Sequence, residues 1–185
     1  MIHSIEMCFN HGQKVNGSKT IRFTAGVNVL VGPNGSGKST VLRALHTCER
    51  CRKAIESDPA VHYFNAESMN PHNQTGAAGT ALHMLLRTRG MFSSHGEIMK
   101  AALVALPLRE GDVLLVDEPE AGQDLAGVLR IRDGIGRLSA RRVQVIAASH
   151  HPALFDAGTV IELEPGYAAR VCDEMCRMLH CGSSN

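Results

Sequence analysis

Short apolar runs recur along the 185-residue chain and are separated by longer amphipathic segments. Residues 27–31, 113–116 and 143–148 consist mainly of Val, Leu, Ile and Ala, a pattern typical of strands buried on both faces of a sheet. Residues 61–64 and 159–163 are predicted to form two further strands.

Between the strands, apolar positions follow helical spacing. Four side chains share one face of a helix predicted after the first of these strands: Val41, Leu42, Leu45 and Cys48. Further helices are predicted over residues 80–87, 94–106, 125–138 and 166–185. Strands that alternate with helices predict an α/β layered fold with a largely parallel central sheet. Because no repeat or linker is visible, we expect one domain over residues 1–185.

Charge and hydropathy narrow the class of protein. Nineteen basic and eighteen acidic residues leave a net charge of +1, so bulk charge predicts no attraction to nucleic acid or to an anionic membrane. DNA stays a possible partner only through a local patch. Apolar runs are far shorter than the roughly 20 residues that cross a bilayer, and no secretory signal is visible at the N-terminus. We therefore expect a cytoplasmic protein without a membrane partner.

The six cysteines are expected to be free thiols in a reducing compartment. Two groups have spacings that zinc ligands use: Cys48 with Cys51, and Cys172 with Cys176, His180 and Cys181. Both groups fall in predicted helices, where small buried thiols are common. We therefore favour buried thiols over metal ligands, and zinc binding stays open.

A glycine-rich segment with the pattern G-x-x-x-x-G-K-[ST] lies between a predicted strand and a predicted helix. Its residues are Gly32, Pro33, Asn34, Gly35, Ser36, Gly37, Lys38, Ser39 and Thr40. Glycines let backbone N–H groups point inward around phosphates, and the helix N-terminus adds a positive dipole. We expect Lys38 to reach the β- and γ-phosphates of a nucleoside triphosphate, ATP or GTP, and Ser39 to ligate Mg²⁺. The strand–loop–helix context disfavours the alternative, a turn that holds a lysine by chance.

Two more polar groups follow apolar strands. Asp117 and Glu118 end the strand at 113–116, where a strand buried on both faces can present polar side chains. Asp117 suits the outer shell of Mg²⁺, and Glu118 suits a general base that orients or deprotonates the attacking water. His150 follows the next strand, where it could hydrogen-bond the γ-phosphate. Each group alone could be a polar turn, but together they predict one catalytic site.

The glycine-rich motif, the Asp117-Glu118-Pro119 sequence and Ser149-His150 together resemble the ABC-ATPase superfamily. The likeness covers most of residues 1–165. It implies a P-loop NTPase fold with an N-terminal antiparallel β portion and a shortened helical subdomain at residues 65–107. It also implies hydrolysis of ATP to ADP and phosphate with Mg²⁺. The nearest likeness is to the soluble branch of SMC-like, DNA-repair and overcoming-lysogenization-defect ATPases, rather than to transporter subunits.

The segment from Ser94 to Glu97 resembles the signature loop of this family, which reads Ser-x-Gly-Glu in the soluble branch. In the family, this loop closes over the nucleotide held by a second protomer. The resemblance therefore implies that Ser94 and Gly96 bind the partner's ATP in a homodimer formed in the ATP state. From the sequence alone, Ser94 would cap a helix whether or not a nucleotide is present.

The chain departs from the family pattern at several points. His95 stands where transporters carry glycine, and only Asp124 is kept from the usual loop after Glu118. The candidates for the glutamine-loop residue are Asn65, Glu67 and Gln74. The short stretch between Thr40 and Ser94 leaves no room for a coiled-coil arm. It argues against an SMC-type tether and against docking to a membrane permease.

These observations favour an ATPase that couples its nucleotide state to a separate effector protein or to DNA. The alternative is a regulatory switch that binds nucleotide with negligible turnover, which His95 and the weak glutamine loop favour and Glu118 opposes. An ATP-binding subunit of a transporter ranks below both.

Overall fold

The structure is a computed structural model that describes residues 1–52, 59–65 and 107–180. In chain order its elements are β1 (Ser4–Glu6), α1 (Phe9–Gly12), β2 (Thr20–Arg22), β3 (Val27–Val31), α2 (Lys38–Thr47), α3 (Glu49–Arg52), β4 (Val61–Asn65), β5 (Val113–Asp117), α4 (Leu125–Ala140), β6 (Gln144–Ala148), a 3₁₀ helix (Pro152–Ala157), β7 (Thr159–Glu162) and α5 (Tyr167–His180). The predicted strands and the predicted helix over residues 125–138 are thus present, with ends that differ by one or two residues.

The main sheet of the described chain has the strand order β4-β5-β6-β3-β7, and all of its pairings are parallel. Ala148 at the end of β6 pairs with Leu30 of β3 on one side and with Asp117 of β5 on the other. Three strands therefore end at the same level, and the loops that follow them leave the same edge of the sheet. Ligands of open α/β sheets bind at this edge.

Both faces of this sheet are covered, as the uninterrupted apolar runs predict. On one face, Leu114, Val116 and Val145 pack with Ile131 and Ile135 of α4. On the other face, alternate residues of the same strands pack against α2: Leu30, Val113, Leu115, Ile146 and Ala148 meet Val41, Leu42 and Leu45. The period of two along each strand therefore divides the core between two helical layers.

Helix α4 forms despite its three glycines because it has a good N-terminal cap and an apolar stripe. The Asp124 carboxylate accepts a hydrogen bond of 2.6 Å from the Gly127 N–H, which satisfies one of the free donors at the helix start. Val128, Ile131, Ile135 and Leu138 are buried at helical spacing.

The N-terminal antiparallel portion is also present. Strands β1 and β2 pair with Ile5 opposite Ile21, and both side chains join the core beside α2. The Gln144 side chain accepts a hydrogen bond from the Ile2 N–H and donates one to the Ile2 carbonyl, each at 2.7 Å. The start of β6 therefore holds the N-terminus against the main sheet.

Some sequence predictions lie outside the described residues. These are the helices at 80–87 and 94–106, most of the shortened helical subdomain, and the signature residues Ser94 and Gly96. The single-domain assignment stays a prediction. In the described part of the chain, no helix has the length and apolar character to span a bilayer.

The prediction of buried thiols is wrong for the C-terminal pair. Cys172 and Cys176 lie on α5 and are exposed, because the apolar side of this helix meets the core mainly through Tyr167, Ala168 and Val171 near its start. Cys51 is buried, as expected, while Cys48 is half-buried.

Candidate functional site

The phosphate loop, residues 32–37, connects β3 to α2 at the ligand-binding edge of the sheet. Gly37 has a φ of 99° and Gly35 a φ of 81°, a backbone region that residues with a Cβ rarely adopt. At Gly37 a Cβ would also lie 2.4 Å from the Lys14 carbonyl oxygen and 2.8 Å from the Val15 Cα. Glycine is therefore required here both for the turn and for close packing against the N-terminal segment.

Lys38 lies at the first position of α2 with only 5% of its surface exposed. Its ammonium group donates to the carbonyls of Gly32 at 2.8 Å and Pro33 at 3.1 Å, so the loop curls around the charge. Burial lowers the pKa of Lys38, and the carboxylates of Glu118, Glu120 and Asp117 act in the opposite direction. The site thus holds one buried cation that faces three acids.

Asp117 is almost fully buried at the end of β5 and accepts three hydrogen bonds. The donors are the Ser39 hydroxyl at 2.9 Å, the Tyr63 hydroxyl at 2.7 Å and the Asn65 amide at 3.2 Å. Burial is the main cause that raises the pKa of Tyr63, and its hydrogen bond to Asp117 raises the pKa further. The Tyr63 ring also stacks on His46 of α2, with centroids 5.4 Å apart. Strand β4 and helix α2 therefore orient the acid from two sides.

Sequence reasoning missed the role of Tyr63 and considered Asn65 only as a glutamine-loop candidate. The available signal was the period of two along β4, which places Tyr63 and Asn65 on the same side of the strand. Asn65 pairs directly with Asp117 in the parallel register. That register could not be derived before the sheet order was known.

Glu118 has a φ of 48°, in the left-handed region that non-glycine residues rarely occupy. Its N–H donates to the Ala148 carbonyl at 3.0 Å, which anchors the backbone to the neighbouring strand. The side chain lines the same cavity as the phosphate loop. A strained backbone beside a pocket is typical of residues that act on a ligand.

Glu120 is the second residue that sequence reasoning missed. It is 6% exposed, and its Oε1 accepts from the Ser149 hydroxyl at 2.6 Å and from the His150 N–H at 3.0 Å. The same oxygen lies 3.5 Å from the His150 Nδ1. Its second oxygen, Oε2, is buried and has no hydrogen-bond partner among the described residues. Glu120 thus positions the histidine whose ring is half-exposed at the cavity.

One cavity of about 530 Å³ joins these groups, a volume within the usual range of ligand pockets. It is lined by Lys14, Asn34, Gly35, Gly37, Lys38, Ser39, Thr40, Glu118 and His150. The structure therefore brings the phosphate loop, Glu118 and His150 together, with Asp117 directly behind Ser39. Ser94 and Gly96 lie outside the described residues, so their predicted contribution stays a prediction.

The chemistry of the donors fits Mg²⁺, which prefers hydroxyl and carboxylate oxygens. The Ser39 hydroxyl donates a hydrogen bond to Asp117, so the lone pairs of its oxygen stay available to a cation. The buried Ser36 hydroxyl has no partner within the described part of the chain. A buried hydroxyl without a partner inside a phosphate loop is consistent with a site that binds a polar ligand.

Comparisons with known proteins agree with this geometry. A family described as an AAA domain matches residues 6–49. The aliphatic sulfonates import ATP-binding protein SsuB 1 of Nocardia farcinica is 31% identical over 163 residues, 75% of this chain and 66% of that protein. SsuB 3 of Rhodococcus jostii is 30% identical over 145 residues, 66% of this chain and 54% of that protein. The chain thus spans about half to two thirds of the length of these relatives.

The solved structure of cbiO1 from Clostridium perfringens, described as part of the ABC transporter complex cbiONQ, superposes with a TM-score of 0.60. The match covers 94% of this chain and 92% of cbiO1 at 17% identity, so it bears on the fold alone. The fold, the phosphate loop and the sequence relatives together define a nucleotide-binding protein of the P-loop class. The chain belongs to the ABC-type P-loop ATPase superfamily.

The sequence relatives and the sequence resemblance point to different branches of this superfamily. The relatives named above are ATP-binding proteins of importers, whereas the sequence resemblance pointed to the soluble branch. The soluble-branch assignment is therefore not confirmed by these comparisons and stays a prediction.

Proposed function

We propose that this chain hydrolyses ATP to ADP and phosphate with Mg²⁺. The observation that carries the proposal is the convergence of Lys38, the Ser39–Asp117 pair and Glu118 on one cavity. Phosphoryl transfer depends mainly on positioning and on stabilisation of charge. A buried ammonium, oxygen ligands for a metal and a carboxylate beside them are the groups that this chemistry uses.

Each side chain has a distinct role in the proposal. Lys38 binds the β- and γ-phosphates. Its ammonium group now donates to two neutral carbonyls, and the phosphates would supply the negative charge that it lacks there. Ser39 and Asp117 would hold Mg²⁺, which supplies neutralisation of phosphate charge when bound. Glu118 orients the attacking water and accepts its proton. His150, held by Glu120, donates a hydrogen bond to the terminal phosphate.

We further propose that hydrolysis requires a head-to-tail homodimer with ATP between the two protomers. The support is the resemblance of residues 94–97 to the family's signature loop, together with a cavity in which His150 is half-exposed. In such a dimer, Ser94 and Gly96 complete the site of the other protomer. Binding and hydrolysis of ATP would then close and open the dimer, which turns nucleotide state into a conformational signal.

The test measures ATP hydrolysis across a range of protein concentrations, with Glu118→Gln as the matched variant. A rate per chain that rises with concentration, and that falls about 10²–10⁴-fold in the variant, supports an ATPase that works as a dimer. ATP binding should be retained in Glu118→Gln because the amide has the same shape. A rate near zero with ATP still bound would instead support the non-hydrolysing switch.

A transporter subunit is the second candidate, and the printed functions of the relatives favour it. The short stretch between Thr40 and Ser94 opposes it, because transporter subunits use this region to contact a permease. Fractionation of cells that express the tagged chain separates the two readings. Recovery with the membrane, together with an integral membrane protein, would favour a transporter. Recovery in the soluble fraction with an effector protein would favour the soluble branch.

A further inference from the structure

Four side chains of types that can ligate a metal meet at the opposite end of α2 from the phosphate loop. They are Cys8, His11, Cys48 and Cys51, and their ligand atoms all lie within 4.8 Å of one another. We name this group the thiol–imidazole cluster. The His11 Nδ1 is 3.2 Å from the Cys8 Sγ and 3.4 Å from the Cys51 Sγ, and the two Sγ atoms of Cys8 and Cys48 are 4.0 Å apart.

The cluster is built from two similar one-turn helices, each preceded by a cysteine. Cys8 precedes the one-turn helix α1, which contains His11, and Cys48 precedes the one-turn helix α3, which contains Cys51. In each case the side chain before the helix and the side chain three residues later lie on the same side of the turn. Each turn therefore offers a pair of ligands, and packing of the N-terminal segment against the end of α2 brings the pairs together.

The distances fit a metal better than they fit sulfur chemistry. A disulfide needs its sulfur atoms about 2.05 Å apart, which is half of the Cys8–Cys48 distance. Three sulfur ligands and one nitrogen ligand in a tetrahedron around zinc, with bonds of about 2.0–2.3 Å, lie about 3.5–3.8 Å from one another. The three separations given above lie close to that range and no pair of ligand atoms is further apart than 4.8 Å, so side-chain movements of about 1 Å or less would complete the tetrahedron.

The surroundings of the cluster also suit thiolate ligands. The Cys8 N–H donates to the Cys51 Sγ at 3.3 Å, a contact that stabilises negative charge on sulfur. Three of the four residues are half-buried, which leaves a path for a metal ion.

We propose that Cys8, His11, Cys48 and Cys51 bind one Zn²⁺ in a structural Cys₃His site. Soft thiolates with one imidazole select zinc over Mg²⁺ and Ca²⁺, and four protein ligands leave no open position for catalysis. The metal ties the N-terminal segment to the C-terminal end of the phosphate-loop helix. Beyond α1, this segment continues to Lys14 and Val15, which cover Gly37.

The first test uses the unmodified chain and does not depend on ATPase activity. Protein purified from zinc-supplemented cells is analysed by mass spectrometry of its metals, and we expect about one zinc per chain. Chelator-treated protein is then titrated with Co²⁺, which should produce a thiolate charge-transfer band and the visible bands of tetrahedral cobalt. Zinc content below about 0.1 per chain, together with no cobalt bands, would overturn the proposal.

The second test compares variants within the thiol–imidazole cluster with a control variant at the exposed cysteines of α5. Cys8→Ser and Cys51→Ser should each lower zinc affinity at least about tenfold, whereas the double variant Cys172→Ser/Cys176→Ser should keep full zinc content. His11→Cys, which keeps four ligands, should retain the metal and change the cobalt spectrum. Unchanged affinity in Cys51→Ser, or loss of zinc in the C-terminal control, would show that zinc binds elsewhere and would overturn the assignment.

Discussion

The two ends of α2 carry two polar sites that are built in different ways. At the N-terminal end, Lys38 and Ser39 belong to one contiguous motif, and Asp117 joins them from a neighbouring part of the sheet. At the C-terminal end, Cys48 and Cys51 complete their group only with Cys8 and His11 from the start of the chain. A contiguous motif identifies its chemistry before the fold is known, while a group split between two segments does not.

The two ends also differ in the kind of cation that they suit. Around Lys38 and Ser39 the partners are carbonyls, hydroxyls and carboxylates, which are hard oxygen ligands. The thiol–imidazole cluster offers sulfur and nitrogen. One helix therefore separates a proposed Mg²⁺ site from a proposed Zn²⁺ site by its length of ten residues, about 15 Å.

The largest expected effect follows from Lys38→Ala at the N-terminal end. Removal of a buried ammonium that faces the phosphates should lower ATP hydrolysis by about 10³-fold, because preorganised charge is then lost from the transition state. Steady-state phosphate release measures the rate, and metal analysis of the same sample should still find zinc. Hydrolysis at the unmodified rate would exclude the proposed ATP site.

The second-largest expected effect follows from removal of the metal at the C-terminal end of α2. Chelation should lower the melting temperature by about 5–10 °C, the shift expected when a ligand at about 100 times its dissociation constant is withdrawn. ATP affinity should change by less than about threefold, since groups this far apart act almost independently. Calorimetry and nucleotide titration measure the two quantities. A drop on chelation that is as large in Cys51→Ser as in the unmodified chain would contradict the assignment.

Tyr63→Phe tests whether the site at the N-terminal end of α2 also contributes to stability. The change leaves the ring on His46 but removes a hydrogen bond to the buried Asp117, and should lower the free energy of unfolding by about 1–2 kcal/mol. Urea denaturation monitored by circular dichroism gives this value. Tyr167→Phe is the matched control and should cost less than about 0.5 kcal/mol, because Tyr167 is half-buried like Tyr63 but its hydroxyl donates to no buried carboxylate in the described part of the chain.

Glu120→Gln is expected to have the smallest effect. The amide oxygen can still accept from Ser149 and His150, but the negative charge beside the histidine is lost. Hydrolysis should fall about fivefold while ATP affinity is retained. If His150→Ala and the double variant Glu120→Gln/His150→Ala hydrolyse ATP at the same rate, Glu120 acts through the histidine. Additive effects would instead assign it a separate role.

Much of this fold could be predicted from the pattern of apolar residues. The strands at Val27–Val31 and Val113–Asp117 are apolar runs with clear ends, and helix α4 has a cap and a regular stripe. Period and length suffice in such cases because burial on both faces leaves few alternative structures. The phosphate loop could be predicted because its chemistry depends on neighbouring residues.

The missed residues share one property, which is dependence on strand order or on contacts distant in the chain. Tyr63 reaches Asp117 only because β4 and β5 are adjacent and parallel. Glu120 matters because the loop after β5 folds back over Ser149 at the end of β6. The preference for metal-free thiols at Cys48 and Cys51 rested on their place in a predicted helix, and neither that place nor their spacing contains information about Cys8 and His11.

The sequence by itself determined the strands of the main sheet, the long helices α2 and α4 and the phosphate loop, and it suggested the proposed class of reaction, because these depend on interactions within a few residues of each other. The tertiary structure decided which side chains hold Asp117 and His150, and which residues complete the cysteine pair. Such contacts join segments up to 78 residues apart, as for Ser39 and Asp117. Their geometry is set by the order and register of strands, and these follow from the packing of the whole core rather than from any one segment.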